Sequence, residues 1–345
     1  MVRIGVVGYG YWGPNLARNF AETPGATLAM VSDARPERLA VAGVRHPGVR
    51  LETDYRKLAD DPEVDAVAIA TPAASHYEIG MAALRAGKHV LIEKPLASSS
   101  EEAEQLIEAA ASRGLTLMVD HTFVYTGAVR TIQKIIAGNG LGELYYYDAV
   151  RINLGLIQPD VNVIWDLAVH DLSIMDHILP MKPCAVAASG VGHFSGNRED
   201  IAYLTLHFES RFIAHVHVNW LAPVKVRQIL IGGSQKMIRY DDVEPSEKVK
   251  VYDKGVRMSP VRADSDAAYK TLVSYRTGDI WLPHLDSTEA LRVEAAEFVA
   301  CINTGARPTT DGVAGLRVVN LLECASESLR NRGQIVELGE RVATV

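Results

Sequence analysis

The sequence predicts an α/β chain: an N-terminal doubly wound parallel sheet, then a C-terminal α+β domain with a mostly antiparallel sheet. Three observations predict it. Residues 2–120 alternate short apolar runs, "RIGVVG", "TLAMVSD", "VDAVAIAT", "KHVLIE" and "LTLMVD", with amphipathic stretches, the rhythm of parallel strands joined by crossover helices. From roughly 184 to 252 strand-like segments follow one another with only turn residues between them. The length of 345 residues exceeds one ordinary core and suggests two domains, placed at 1–121 and 122–345.

The individual elements carry their own signals. "ASHYEIGMAALRAG" reads as a helix closed by Gly87, where a left-handed cap sits. A helix over about 100–113 opens with Ser98 to Ser100 ahead of Glu101 and Glu102, an N-cap with an acidic first turn. "DIAYLTLHFES", "RFIAHVHVNW" and "KVRQILIGGS" read as a meander. Two helical stretches, about 286–303 and 312–330, end the chain, separated by the Gly- and Pro-marked break "NTGARPTTDG".

Hydrophobic residues make up 48% and charged residues 22% of the chain, the balance of a packed globular protein. A net charge of −7 argues against nucleic acid as a partner, because that affinity rests on Lys and Arg neutralising phosphates. No apolar run of membrane-spanning length and no leader pattern is read, so no membrane partner and a cytoplasmic location are expected. Cys184, Cys301 and Cys324 are odd in number and far apart, which suggests buried free thiols rather than disulfides or a zinc site.

Gly8, Gly10 and Gly13 form G-x-G-x-x-G directly after the first apolar run. Glycines there permit a tight turn and let the N–H groups of the following helix receive a pyrophosphate, as in a Rossmann domain. The pattern is weak by itself, but the second run ends in Asp33, about 20 residues further on, where a carboxylate accepts both hydroxyls of an adenine ribose. That carboxylate repels a 2′-phosphate, which favours NAD over NADP, although Arg35 and Arg38 lie close enough to blur the preference. Tyr11 and Trp12, inside the turn, are candidates to pack on the dinucleotide.

The segments "ATPAASHYEIGMAALRAGKHVLIEKPLA" and "WDLAVHDLSIMDHIL" resemble the glucose–fructose oxidoreductase / inositol dehydrogenase / MocA family, including its Glu-Lys-Pro motif at Glu93, Lys94 and Pro95. The C-terminal stretch from "YRTGDIWLPHLDSTEAL" onward resembles the branch that often acts on nucleotide-linked or amino sugars; Val169 departs from it, standing where proline is expected. The resemblance implies that Lys94, Asp166 and His170 are the catalytic set, that Thr71, Pro72 and His76 lie near the nicotinamide half of the cofactor, and that Glu93 lies at its ribose. It also implies a cis peptide before Pro95.

The chemistry of alcohol oxidation asks for the same residue types. A base must take the hydroxyl proton as hydride leaves the same carbon, and a cation must steady the developing alkoxide. Lys94 follows an apolar strand and should emerge at the sheet's carboxyl edge, where ligands of such sheets bind. Asp166 and His170 are four residues apart, so a helix puts both on one face, where the aspartate can orient the imidazole. Tyr125, Asn153, Gln158, Asn162 and Tyr275 flank these stretches as substrate contacts or as ordinary surface. No metal is expected: Asp166, His170, Asp171, Asp176 and His177 match no zinc spacing, and His215 and His217 read as a sheet-surface pair.

The expected function is hydride transfer between NAD(H) and a secondary alcohol or ketone carbon of a sugar or nucleotide sugar, the 3-position being the most specific reading. Arg151, Arg227 and Arg276 are the candidate cations for a diphosphate. An inositol or free-sugar dehydrogenase is the neighbouring alternative, and a non-catalytic dinucleotide-binding sensor the alternative of another class. A homodimer or homotetramer through the second sheet is expected.

Overall fold

The computed structural model describes residues 1–155, 161–194, 198–258 and 273–339. Its chain forms two compact units, one built from Met1–Thr126 with Ser287–Glu323, the other from Gly127–Asp286 with Cys324–Gly339.

In the first unit six strands, β1 (Val2–Val7), β2 (Ala26–Ser32), β3 (Arg50–Glu52), β4 (Ala66–Ile69), β5 (His89–Glu93) and β6 (Leu117–Asp120), form one parallel sheet in the order β3-β2-β1-β4-β5-β6. β1 and β4 are wholly or nearly buried because helices cover both faces, which is why the sequence shows continuous apolar runs instead of alternation. The helices are α1 (Gly13–Glu22), α2 (Pro36–Arg45), α3 (Tyr55–Ala59), α4 (His76–Arg85) and α5 (Ser100–Ala111). α4 stops at Gly87, which has φ +77°, and the Lys88 N–H closes on the Ala83 carbonyl. α5 starts from Ser99, whose hydroxyl accepts from the Glu102 N–H. The order reverses between β1 and β4, the switch point at which such sheets bind ligands beyond their strand ends.

The helix Ala290–Thr304, far along the chain, returns to this unit: Leu291, Ala295, Phe298 and Val299 join the core of Leu16, Ala17 and Phe20 from α1. That face repeats every three to four residues, so the segment is an amphipathic helix with one buried stripe.

The second unit is built on a nine-stranded sheet. Its central strand is β7 (Leu144–Leu154), flanked by β10 (Ile213–Asn219) on one side and β11 (Leu221–Gly233) on the other. β7 runs parallel to β10 and antiparallel to β11, so the expected meander is interrupted: its second and third strands are not neighbours. The alternation of β7 is hard to see in sequence because the inward set Tyr147, Ala149 and Arg151 includes an arginine. Beyond β10 lie β9 (Ile201–His207) and β8 (Ala185–Val191), both antiparallel. The helices α6 (Gly127–Ala137) and α7 (Val169–Ile178) belong to this unit, α7 being preceded by a π-helical turn, Ile164–Ala168. Among the described residues no helix is long and apolar enough to cross a membrane.

Candidate active site

In the first unit the glycine turn leads directly from β1 into α1. Gly8 has φ +92°, and a Cβ there would lie 2.6 Å from the Ala70 carbonyl oxygen; at Gly13 a Cβ would overlap the Gly8 carbonyl oxygen. Only glycine permits so close an approach of strand, turn and helix. At the head of α1 Pro14 has no N–H and the Asn15 N–H bonds the Trp12 carbonyl at 2.8 Å, so the cradle for a pyrophosphate is the glycine turn itself at the positive end of the helix. Asp33 follows β2 and is nearly buried. Its Oδ2 accepts from the Tyr9 N–H at 2.7 Å, and its two oxygens accept from the Arg35 Nε and Nη2 at 3.0 and 3.1 Å. Burial alone would raise the pKa of this carboxyl, but the Arg35 guanidinium and the N–H groups of Arg35 and Tyr9 outweigh it and hold the pKa below the usual value.

Tyr11 projects from the turn, 86% exposed. Trp12 behaves differently, its indole Nε1 donating to Asp120 Oδ2 at 2.6 Å. The donor set therefore fits a dinucleotide: a glycine cradle for the pyrophosphate, a carboxylate at the end of β2 for the ribose, and two aromatics within the turn.

Glu93 ends β5, and the Lys94–Pro95 peptide is cis, as the resemblance implied. His76, at the start of α4, is buried, with Nδ1 2.8 Å from the Pro95 carbonyl and Nε2 2.9 Å from the Thr71 carbonyl. It thus ties the segment after Lys94 to the turn after β4, and its contribution to the cofactor region is to the backbone. Thr71 receives the Ser75 hydroxyl at 2.8 Å, and Pro72 opens the short turn that leads into α4.

In the second unit Asp166 lies within the π turn and His170 one turn later in α7. Single π turns are frequent at functional sites, because the extra residue re-aims side chains within an otherwise regular helix. Asp166 Oδ2 accepts from the buried indole of Trp220 at 3.0 Å. Asn162 is the cap of this helix: its Oδ1 accepts from the N–H groups of Ile164 and Trp165, and its Nδ2 donates to Glu199 at 2.9 Å.

The comparisons with known proteins agree along the chain. Residues 2–121 match a model described as "Oxidoreductase family, NAD-binding Rossmann fold", and residues 129–239 match the GFO/IDH/MocA C-terminal domain. This chain belongs to the GFO/IDH/MocA oxidoreductase family. It is an NAD-binding oxidoreductase with a Rossmann domain and a second, mostly antiparallel domain. The UDP-N-acetylglucosamine 3-dehydrogenase of Acidithiobacillus ferrooxidans is 28% identical over 92% of this chain and 94% of its own. The solved structure of that enzyme superposes with a TM-score of 0.79 at 26% identity, covering 96% of this chain and 99% of that one. Inositol 2-dehydrogenase 2 of Saccharopolyspora erythraea is 31% identical over 63% of this chain and 66% of its own. A levoglucosan dehydrogenase complexed with NADH shares the fold, with a TM-score of 0.82 at 21% identity over 98% of this chain and 99% of that one.

Several polar residues of this family member have places other than those expected of ligand contacts. Tyr125 is buried and its hydroxyl lies 2.9 Å from the Thr310 hydroxyl, also reaching Glu297, so it packs in the core of the first unit. Arg151, 2% exposed, makes a forked ion pair with Asp171 at 2.8 and 2.9 Å. Arg227 bonds Asp242 at 3.3 Å, and Arg276 bonds Asp253 at 3.0 Å and the Gln235 carbonyl. All three candidate diphosphate cations are therefore engaged by carboxylates. Asn153 lies two residues beyond Arg151 on the same face of β7, half-buried, whereas Tyr275 is largely exposed. Gln158 lies outside the described residues.

The other clusters resolve into ordinary pairs. Asp176 pairs with Lys182 at 2.8 Å, and His217 stacks on Tyr203 with centroids 4.4 Å apart, His215 beside them near Asp148. Sequence reasoning does not single out Asp120, Trp220 or the pairing of Asp171. Asp120 ends an apolar run as Asp33 does, a signal the sequence did offer.

Proposed function

We propose that this protein is a dehydrogenase that transfers hydride between NAD(H) and a secondary alcohol or ketone carbon of a sugar, with Lys94, Asp166 and His170 as the catalytic set. Bound NAD supplies the hydride acceptor. The Lys94 ammonium steadies the reacting oxygen, an imidazole nitrogen of His170 takes the hydroxyl proton, and Asp166 orients that ring and meets neighbouring hydroxyls. The observation that carries the reading is the buried Trp220 indole fastened to Asp166 one turn before His170, since a helix on a solvated surface has no need of such a fixture.

Full-length similarity to a UDP-N-acetylglucosamine 3-dehydrogenase supports a nucleotide sugar oxidised at the 3-position. The engagement of Arg151, Arg227 and Arg276 by carboxylates favours a second reading, a free sugar or cyclic polyol without a diphosphate, in line with the inositol dehydrogenase relative. Incubation with NAD and UDP-N-acetylglucosamine, glucose or myo-inositol, monitored by the absorbance of reduced nicotinamide, separates them. Turnover with one of these and its loss in His170→Ala supports the reading; NADH binding without turnover of any sugar would mark a sensor. The reading is of a cytoplasmic homodimer or homotetramer that draws on the cell's NAD pool, with sedimentation as the check on subunit number.

A further inference from the structure

Glu294 projects from the helix Ala290–Thr304 into the first unit and is 0% exposed. Among the described residues no hydrogen-bond donor reaches either of its oxygens in the ionised form. Its side chain meets Asp120, itself 1% exposed, and Glu93, the parallel-sheet neighbour of Asp120, is the third carboxyl of the group. Other titratable neighbours among the described residues are Glu297 on the same helix, the Tyr125 hydroxyl, and Lys94 beside Glu93. Two buried carboxyl groups can meet without a donor between them only if one carries its own proton.

The donors to Asp120 are already identified: the Trp12 indole at 2.6 Å and the Thr122 hydroxyl. Asp120 is thus the common acceptor, and Glu294 has no other hydrogen-bond partner among the described residues. We propose that Glu294 is a positioning residue for NAD: as a carboxylic acid it donates a hydrogen bond to Asp120 and so fixes the carboxylate that holds Trp12 in the glycine turn. Burial, and next the proximity of Asp120, push the Glu294 carboxyl well above the ordinary range, and Glu93 is pushed the same way for the same reasons. The inference rests on NAD binding by the glycine turn and is independent of which sugar is oxidised.

NADH titrations of the full chain, followed by cofactor fluorescence, test it with Glu294→Gln, Glu294→Leu, Trp12→Phe and the Trp12→Phe/Glu294→Leu double variant. Glu294→Gln, whose amide still donates, should bind NADH within about twofold of the wild type, whereas Glu294→Leu should weaken binding roughly tenfold. On the Trp12→Phe background the same Leu substitution should cost little, because its effect passes through Trp12. An infrared difference spectrum of wild type minus Glu294→Gln above neutral pH should show a protonated-carboxyl C=O stretch. An absent band, a Gln variant as weak as Leu while still melting cooperatively, or a Leu effect undiminished on the Trp12→Phe background would each overturn the proposal. If Glu294→Leu does not fold, the Gln variant and the spectrum decide. A wild type that fails to bind NADH would instead defeat the cofactor assignment itself.

Discussion

The indole Nε1 of Trp220 donates to Asp166 Oδ2 at 3.0 Å, joining the residue just after β10 to the π turn that precedes His170. Trp220 is buried and its own backbone N–H bonds the Asp200 carbonyl, so the residue is held at its backbone as well as at its ring. An anchored donor fixes the carboxylate's rotamer, and under the proposed function that carboxylate orients the His170 imidazole. Trp220→Phe keeps most of the ring and removes the donor. A hydrogen bond to a charged group contributes about 1.5–3 kcal/mol, so kcat/KM should fall at least roughly tenfold, mostly in kcat. Steady-state kinetics beside a thermal melt check this. A lowered melting temperature with unchanged kcat would assign Trp220 to packing alone.

Asp33 has four donors on its two oxygens: the backbone N–H groups of Tyr9 and Arg35, and the Nε and Nη2 of the Arg35 guanidinium. Ribose hydroxyls reach that carboxylate only by displacing the guanidinium, which then stands where a 2′-phosphate could meet it. Asp33→Ser should therefore weaken NAD binding about tenfold and improve NADP binding, while Arg35→Ala should abolish residual NADP use and leave NAD within about threefold. Dissociation constants for both cofactors decide it. A Ser variant that loses both equally would remove Asp33 from cofactor choice.

What the sequence disclosed follows from how local each signal is. The parallel strands are uninterrupted apolar runs, and the glycine turn and Asp33 lie within one βαβ unit, so spacing alone locates them. That Asp166 and His170, four residues apart, share one helical segment is legible for the same reason. Trp220 and Glu294 are not, because the partners that give them meaning lie in other elements and neither residue type is unusual where it stands. Arg151 and Tyr125 mislead in the opposite direction: each looks like a polar ligand contact, and each is buried against a partner that only the fold supplies. β7 escapes a sequence reading for a related reason, since a buried arginine breaks the apolar alternation that marks a strand.

Arg151 and Asp171 form that buried pair, with the Tyr147 hydroxyl donating to the Asp171 carbonyl beside it. Removing one partner leaves a buried charge uncompensated. Arg151→Met should cost about 3–5 kcal/mol in unfolding free energy, whereas Arg151→Met with Asp171→Leu should recover most of it. Urea denaturation monitored by fluorescence measures both. A double variant no better than the single would mean that the surrounding packing, not the orphaned carboxylate, sets the loss.

Histidines should set the upper edge of acid sensitivity. Burial is the first cause that lowers the pKa of His46, His76, His89 and His217; nearby Arg45 adds to it at His46 and His215 at His217. His76 is the most confined. A neutral ring has one N–H for the two carbonyls it faces, and their pull toward the charged form does not overcome burial. A histidine whose folded pKa lies below its unfolded value binds protons preferentially in the unfolded chain, so stability rises with pH across the interval between them. The contribution is complete above the unfolded pKa of about 6.5 and declines as the pH falls. The depressed carboxyls of Asp33, Asp61 and Asp65 work in the same direction, but only once the pH approaches their unfolded value of about 4. Urea midpoints taken at about pH 7.5 and 5.5 should therefore already differ, with the lower pH less stable, and His89→Gln should reduce the difference. Equal midpoints would mean that these rings accept protons in place, and that acid unfolding begins with the carboxylates.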